Sequence, residues 1–197
     1  MRALRRVVAT ERGGTPGYSE WHVLEALKRM SSEPVGRLSL SSVLGIGEAS
    51  ARTLLTRLEE EGLVKAVGRG RTLSERGREV LEALGAVLET RRCSIQGLAG
   101  FEECVEAAFP YSPPTELTQV YEVRDLLVSR GCRTSLIGFW RDGNVGFPGM
   151  PPEILSLVRG AVKFPQAGEG VILVVPSRCE PQLVGALAEL ALRACGA

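Results

Sequence analysis

Arg52, Thr53, Thr56 and Arg57 fall on one face of a helix read over Glu48 to Glu61, and Lys65, Arg69 and Arg71 follow closely. Arginine and threonine side chains at that spacing can hydrogen-bond base edges in a groove wide enough to admit a helix. The cations that follow can neutralise phosphate. A guanidinium on the tip Gly68-Arg69-Gly70 can approach a phosphodiester backbone closely and grip it in a bidentate manner. Two features weigh on the other side. A polar helical face is also what any solvated surface shows, and Glu59-Glu60-Glu61 at the C-terminal end of the same helix would repel phosphate.

Catalytic chemistry has weaker candidates. Cys93, Cys104, Cys132, Cys179 and Cys195 are scattered with no C-x-x-C pair, and His22 is the chain's single histidine. A zinc site therefore lacks its ligand spacing, no imidazole is at hand in the back half to activate a thiol, and the cysteines are expected as free, buried thiols. Glu102 and Glu103 are adjacent in sequence and so cannot face each other across a substrate. Gly168-Glu-Gly170 precedes a strand, whereas a dinucleotide loop follows one. Trp21 and His22 are expected in packing and capping, and Arg124 with Asp125 as a solvated pair on a helix. The expectation is a protein that is not an enzyme and holds no metal or cofactor.

Composition bounds the rest. The chain has 197 residues, 44% of them hydrophobic and 24% charged, with a net charge of +1. Residues 1–92 carry 16 Lys+Arg against 12 Asp+Glu, and residues 93–197 carry 8 against 11, which together are the chain's 24 and 23. A basic front half joined to a mildly acidic back half suits a nucleic-acid-binding head on a sensor body. The longest wholly apolar run, Val171 to Val175, is far short of the ~20 residues a bilayer crossing needs. No secretory leader is read at the start, so a cytoplasmic location is expected. Arginine supplies 21 of the 24 basic residues and Asn144 is the only asparagine, a bias that a thermophile or a GC-rich genome would produce.

The elements that would position the basic residues can be read from periodicity. Ser19 caps a helix whose apolar residues are Val23, Leu24, Leu27 and Met30. Ser39 is read as the cap of a short second helix, which Gly45 ends. A turn at Gly45-Ile46-Gly47 opens the 48–61 helix, with Ala51, Leu54, Leu55 and Leu58 as its buried stripe. A hairpin from Leu63 to Leu73 and a last helix from Ser74, carrying Val80, Leu81, Leu84 and Leu88, complete the front half. Helix, short helix, longer helix, hairpin, helix is the winged helix-turn-helix order. Over Ser19 to Thr90 the chain resembles winged-helix transcription regulators of the broad MarR/PadR kind. The likeness rests on Leu40-Ser-Ser-Val-Leu-Gly-Ile-Gly, on Ala51-Arg-Thr-Leu-Leu-Thr-Arg-Leu-Glu-Glu-Glu-Gly-Leu-Val and on Leu73-Ser-Glu-Arg-Gly-Arg-Glu-Val-Leu. The resemblance implies a recognition helix over 48–61 in the major groove of double-stranded DNA and a basic wing over 65–71 on the backbone or adjacent minor groove. Arg2, Arg5 and Arg6 read either as a DNA-grazing arm or as a solvated tail.

The back half, 93–197, reads as a small α+β domain. Phe101 to Phe109 suits a helix or a strand, Leu117 to Arg130 a helix, and Thr134 to Trp140 a strand that turns at Asp142-Gly143 into Val145 to Phe147. Pro151-Pro152 starts a helix, Val171 to Val175 is a buried strand, and Pro181 to Cys195 closes the chain as a helix. If Phe101 to Phe109 is a strand, β-α-β-β-α-β-α is a ferredoxin-like succession with an added helix. The whole is similar to archaeal winged-helix proteins with an uncharacterised C-terminal domain, through Glu122-Val-Arg-Asp, Arg141-Asp-Gly and Phe147-Pro-Gly. The expectation is a DNA-binding transcription regulator, homodimeric, whose back half dimerises or senses a small molecule. The alternative is a winged-helix scaffold that docks on a protein and reads no bases.

Overall fold

The protein is described by a computed structural model over residues 2–8, 17–110, 117–165 and 167–194. The Pro113-Pro114 break and Cys195 lie outside the described residues. The chain divides into two compact units, Met1–Val87 and Leu88–Ala197. Residues 88–92, read with the front half from sequence, join the second unit because Arg91–Cys93 pairs with its sheet.

The first unit is built from α1 (Arg2–Val8), α2 (Glu20–Ser32), α3 (Arg37–Leu44), α4 (Glu48–Glu60), the hairpin β1 (Val64–Val67) and β2 (Gly70–Leu73), and α5 (Glu75–Leu88). The expected stripe of α4 is buried in full, with Ala51, Leu54 and Leu58 at 0% exposure and Leu55 at 4%. Gly36, not Ser39, precedes the first residue of α3, so this helix begins three residues earlier than the serine suggests. Gly45 then closes it in the left-handed conformation at φ 65°, as a glycine past a helix end does. In the turn to α4, the Ser41 hydroxyl donates to the Ile46 carbonyl at 2.6 Å and Ile46 is buried. The basic start of the chain is no arm: it forms α1, which packs on α2 and α4 with Leu4 and Val7 in the core. Those two residues sit three apart, on one side of the helix, and their burial stabilises the docked helix.

The base of the hairpin is a knot of short contacts. Leu63 N–H donates to the Leu58 carbonyl at 2.8 Å as α4 ends, and Ser74 N–H donates to the Leu63 carbonyl at 3.0 Å as α5 begins. The Ser74 hydroxyl donates to the Gly62 carbonyl at 2.6 Å and accepts from Gly77 N–H at 2.9 Å, capping α5. A methyl group on Gly77 would overlap the Leu63 carbonyl, so the serine-to-glycine spacing at the start of α5 is a packing requirement. Val35, between α2 and α3, exchanges backbone hydrogen bonds with Arg71 at 2.8 and 2.9 Å and so adds a third chain segment beside β2.

The second unit is a five-stranded antiparallel sheet with helices on both faces. Its elements are β3 (Arg91–Cys93), β4 (Cys104–Phe109), α6 (Leu117–Ser129), β5 (Leu136–Arg141), β6 (Asn144–Gly146), α7 (Pro152–Ala161), β7 (Glu169–Pro176) and α8 (Glu180–Ala194). The strands run in the order β3-β4-β7-β5-β6, each antiparallel to its neighbours. The α+β class is as read, Cys104–Phe109 is a strand, and the succession from it onward follows the reading, while β3 at Arg91–Cys93 is a strand the sequence did not suggest. The sheet order is not the ferredoxin-like one, in which the last strand of the motif lies at an edge. Here β7 is central: Val171 to Val175 are all fully buried, and a strand apolar on both faces belongs between two others. The three-residue β6, bearing Gly146, takes the edge instead. One face of the sheet, with Trp140, Ile172 and Val174, packs on Val158 and Val162 of the α7 region, and α6 and α8 cover the other.

One departure from the reading and one addition to it concern buried side chains. Cys93 and Cys104 are not free thiols but a disulfide, which cross-strand pairing makes possible by bringing their Cα atoms within 4.8 Å. Glu106, 2% exposed in the middle of β4, is a buried carboxylate that accepts the Lys163 backbone N–H at 3.0 and 3.1 Å. Burial pushes its pKa up against that hydrogen bond and the nearby charges of Arg91 and Lys163.

Replacing Gly77 by alanine is expected to destabilise the first unit by about 2–4 kcal/mol, since the overlapped atom is backbone and has no free space to move into. Gly85→Ala, on the same helix with open space around it, should stabilise or leave the fold unchanged. Thermal denaturation of the two variants side by side checks the pair.

Candidate nucleic-acid interface

The outer face of α4 has Ala49, Arg52, Thr53 and Thr56 exposed together, as the helical spacing predicts. The Thr53 hydroxyl donates to the Ala49 carbonyl at 3.0 Å, which spends its proton and leaves its oxygen as an acceptor. Arg52 has no ion-pair or hydrogen-bond partner among the described residues. On the hairpin, Lys65 and Arg69 are likewise exposed without a partner among the described residues. The two-residue turn is Gly68-Arg69, with Gly68 at φ 57°, and Val67 pairs with Gly70 across it. Gly70 is no part of the tip. It is buried at the start of β2, where a Cβ would crowd Pro34 and Val35 at 3.2 Å.

Arg57 and Arg71, predicted with these residues, are turned to structural work. The Arg57 Nη1 donates to the Val7 carbonyl at 2.9 Å, and the Tyr18 hydroxyl donates to the same oxygen at 3.1 Å. Val7 lies in the last turn of α1, where unpaired carbonyls and the negative end of the helix dipole attract a cation. Burial raises the Tyr18 hydroxyl above its ordinary pKa, with Arg57 pulling the other way through its charge and a hydrogen bond. Arg71 reaches back from β2 to Glu59, with Nε 2.9 Å from Oε1 and Nη2 3.4 Å from Oε2. The fork ties the hairpin to the end of α4. Both partners are about one-third exposed, so the pair contributes at most about 1 kcal/mol, and its main effect is to hold geometry.

The acidic run is also reduced as an obstacle. Glu59 is matched by Arg71, and Glu61 by Arg6 of α1 at 3.3 Å, which leaves Glu60 as the exposed carboxylate of the three. On α4 and the hairpin, Arg52, Lys65 and Arg69 are exposed cations with no partner among the described residues, with two threonine hydroxyls between them in sequence. That combination can bind a polyanion through charge and discriminate among its bases through the helix.

His22 supports the scaffold instead of the chemistry. Its Nδ1 accepts the Ser19 backbone N–H at 3.0 Å and lies 2.9 Å from the Ser19 hydroxyl, so the neutral imidazole closes the first turn of α2. Trp21 meets it edge to face at a centroid distance of 5.0 Å. Burial holds the imidazole pKa below its ordinary 6.5.

Residues 26–79 match the family described as PH0730-like, N-terminal domain. The chain is 39% identical over 75 residues to the central glycolytic genes regulator of Bacillus subtilis (strain 168), a stretch that is 38% of this chain. It spans about a fifth of that relative's length, 21%. Among solved structures, the hypothetical protein PH0730 from Pyrococcus horikoshii OT3 superposes with a TM-score of 0.60 over 87% of this chain and 90% of its own, at 22% identity. That likeness shows a shared α+β fold.

The neutral form of His22 is the one bonded in the folded chain, so its contribution is complete above pH 6.5 and is lost as the pH falls through the lowered folded value. The thermal midpoint is expected to fall between pH 7.5 and 5.5, and His22→Gln should flatten that part of the profile. An unchanged profile in the variant would show that the imidazole does not titrate with folding. Arg57→Ala is expected to cost about 1–3 kcal/mol, and Tyr18→Phe less, with the double variant non-additive because both donors share one carbonyl. Urea denaturation of the three variants measures the coupling.

Proposed function

We propose that the protein is a winged-helix transcription regulator of the broad MarR/PadR kind, which reads double-stranded DNA with α4 and steadies itself on phosphate with the hairpin. The observation that carries this is selective pairing. Arg57 and Arg71 are engaged inside the unit while Arg52, Lys65 and Arg69 stand exposed without a partner among the described residues, on the same two elements as Thr53 and Thr56 that a helix-turn-helix points at a groove. The match of residues 26–79 and the identity to a Bacillus regulator support a regulatory role. In this reading the protein works in the cytoplasm without catalysis. It acts as a homodimer, because one winged helix covers little DNA and paired half-sites raise affinity through effective concentration. The second unit then dimerises or takes a small-molecule effector. Among the described residues no helix is long and apolar enough to cross a membrane.

A second reading has one observation in its favour. Leu38 and Val43 of α3 are 62% and 55% exposed, and apolar side chains on the helix beside the reading helix suit a protein contact. The two readings separate on the cations. Binding of labelled duplex from the region upstream of the protein's own gene, at several salt concentrations, is expected to weaken in Lys65→Ala/Arg69→Ala on every sequence, with the salt slope lower by about two. Arg52→Ala should lose about 1–3 kcal/mol on the cognate duplex and less on random DNA. Wild-type binding that is weak, insensitive to salt and indifferent to all three substitutions favours the protein scaffold, in which Leu38→Ser/Val43→Ser would abolish partner capture.

A further inference from the structure

We propose that the groove along the β5–β6 hairpin is the effector site of the second unit, and that it takes a small organic anion with a flat apolar body. The proposal rests on the reading above in which that unit takes a small-molecule effector, and gives it a place and a ligand class. The groove has a volume of about 430 Å³ and is lined by β5 from Phe139 to Arg141, by β6 from Asn144 to Gly146, and by Arg159 of α7. Sites for small molecules commonly span roughly 300–1,000 Å³.

Strand register sorts the lining into an apolar end and a polar end. Phe139 pairs with Gly146 and Arg141 with Asn144, and cross-strand partners share a face, so these four lie together on the face opposite Trp140. At Gly146 the sheet lacks a side chain: a Cβ there would meet nothing within 4 Å, although Phe139 across from it is half-buried. The turn does not require this glycine, since Asp142 and Gly143 supply the left-handed positions at φ 45° and 78°. The gap is open space beside an aromatic ring, and a flat apolar body can fill it.

Charge gathers at the other end. The Arg159 Nε donates to the Val145 carbonyl at 2.9 Å, which holds the guanidinium at the open edge of β6, and no carboxylate pairs with it among the described residues. Arg141 is exposed and gives its Nε to Glu169 at 2.9 Å. Trp140, which also borders the groove, is 2% exposed, and its Nε1 is buried without a hydrogen-bond partner among the described residues. A buried donor left unsatisfied is the exception in a fold, and here it falls on a lining residue. No aspartate or glutamate lines the groove, so a cationic ligand would meet no counter-charge. A peptide strand added to β6 would need the Val145 carbonyl, which Arg159 already takes. Guanidinium forks match a carboxylate or phosphate group.

The test is a titration of the isotope-labelled full chain with naphthoate and with naphthyl phosphate, followed through backbone amide shifts in NMR spectra. Naphthamide, which has the body without the charge, and inorganic phosphate, which has the charge without the body, serve as partial probes. At least one of the two anions is expected to bind with a Kd of about 1 mM or below and to move the amides of Phe139 to Gly146, and the tighter of the two tells carboxylate from phosphate. The partial probes should bind at least about tenfold more weakly. Gly146→Val fills the gap without strain, and Arg159→Gln keeps an amide donor while removing the charge; each should weaken anion binding by about tenfold or more in a chain whose other amide shifts stay in place. Saturating anion should change affinity for the upstream duplex by about fivefold or more in the wild type and not in Gly146→Val. Absence of binding by both anions overturns the proposal, as does binding that both substitutions leave unchanged, and equal binding of naphthamide overturns the anionic class. Binding at Phe139 to Gly146 with duplex affinity unchanged overturns the effector role and upholds the site. A wild type that binds no duplex at all overturns the DNA reading instead, and the amide shifts still decide the site.

Discussion

The first unit depends on the place where three chain segments meet at Leu63. There α4 ends, the hairpin begins and α5 starts, and one carbonyl, Leu63 O, receives Ser74 N–H while leaving no room for a side chain at position 77. The Ser74 hydroxyl works in both directions, as donor to Gly62 and acceptor from Gly77, so the exit of α4 and the cap of α5 are satisfied by a single side chain. Hydrogen bonds of this kind contribute about 1 kcal/mol each, but leaving a buried one unmade costs more than making it gains. Direction follows from that. With the exit of α4 locked to the base of the hairpin, the outer face of α4 and the turn at Arg69 cannot be oriented independently, and the Arg71–Glu59 fork reinforces the same angle.

Charge is sorted by this frame. Of the arginines and lysines whose spacing suggests a polyanion surface, those near a helix end or a carboxylate are drawn inward, Arg57 to the terminal carbonyls of α1 and Arg71 to Glu59. Those without such neighbours remain outside. The internal pairs also strip the acidic run of most of its repulsion, since Glu59 and Glu61 are matched within the unit. The arginines that make no outward contact therefore still shape the outward potential, by neutralising carboxylates that would otherwise oppose it.

Legibility in the sequence follows the range of the forces involved. The stripe of α4 depends on a local period and was readable to the residue, as were the Gly45 stop and the Asp142-Gly143 hairpin, where φ values of 45° and 78° fit the turn. The Arg52-versus-Arg57 distinction was not readable, because it depends on α1 docking fifty positions away and α1 is seven residues of mostly basic and apolar character. β4 was ambiguous because Cys104, Ala107 and Ala108 also suit a helix, and the buried carboxylate of Glu106 within it is intelligible only once Lys163 is seen beside it. The Cys93–Cys104 bridge carries no spacing signature, since strand register and not sequence separation brings the two together.

The strand order of the second unit shows how composition can decide topology when element succession cannot. Several arrangements of a β-α-β-β-α-β succession keep every neighbour antiparallel, some with the last strand outermost and others with it between the first and the second. β7 supplies five consecutive apolar residues and both its faces must be covered, whereas β6 is three residues long and leaves one side open. Placing β7 at the edge would expose one row of its backbone groups and much of its apolar surface, at about 25 cal/mol for each Å² exposed. At the centre it pairs with β4 along six positions and with β5 along six more, and Gly170 gives up its side chain so that the Trp140 ring can lie across it. The β6 edge that results is itself blunted: the carbonyl of Val145, on that outer strand, accepts the Arg159 Nε at 2.9 Å, so a helix side chain occupies an acceptor that an added strand would need.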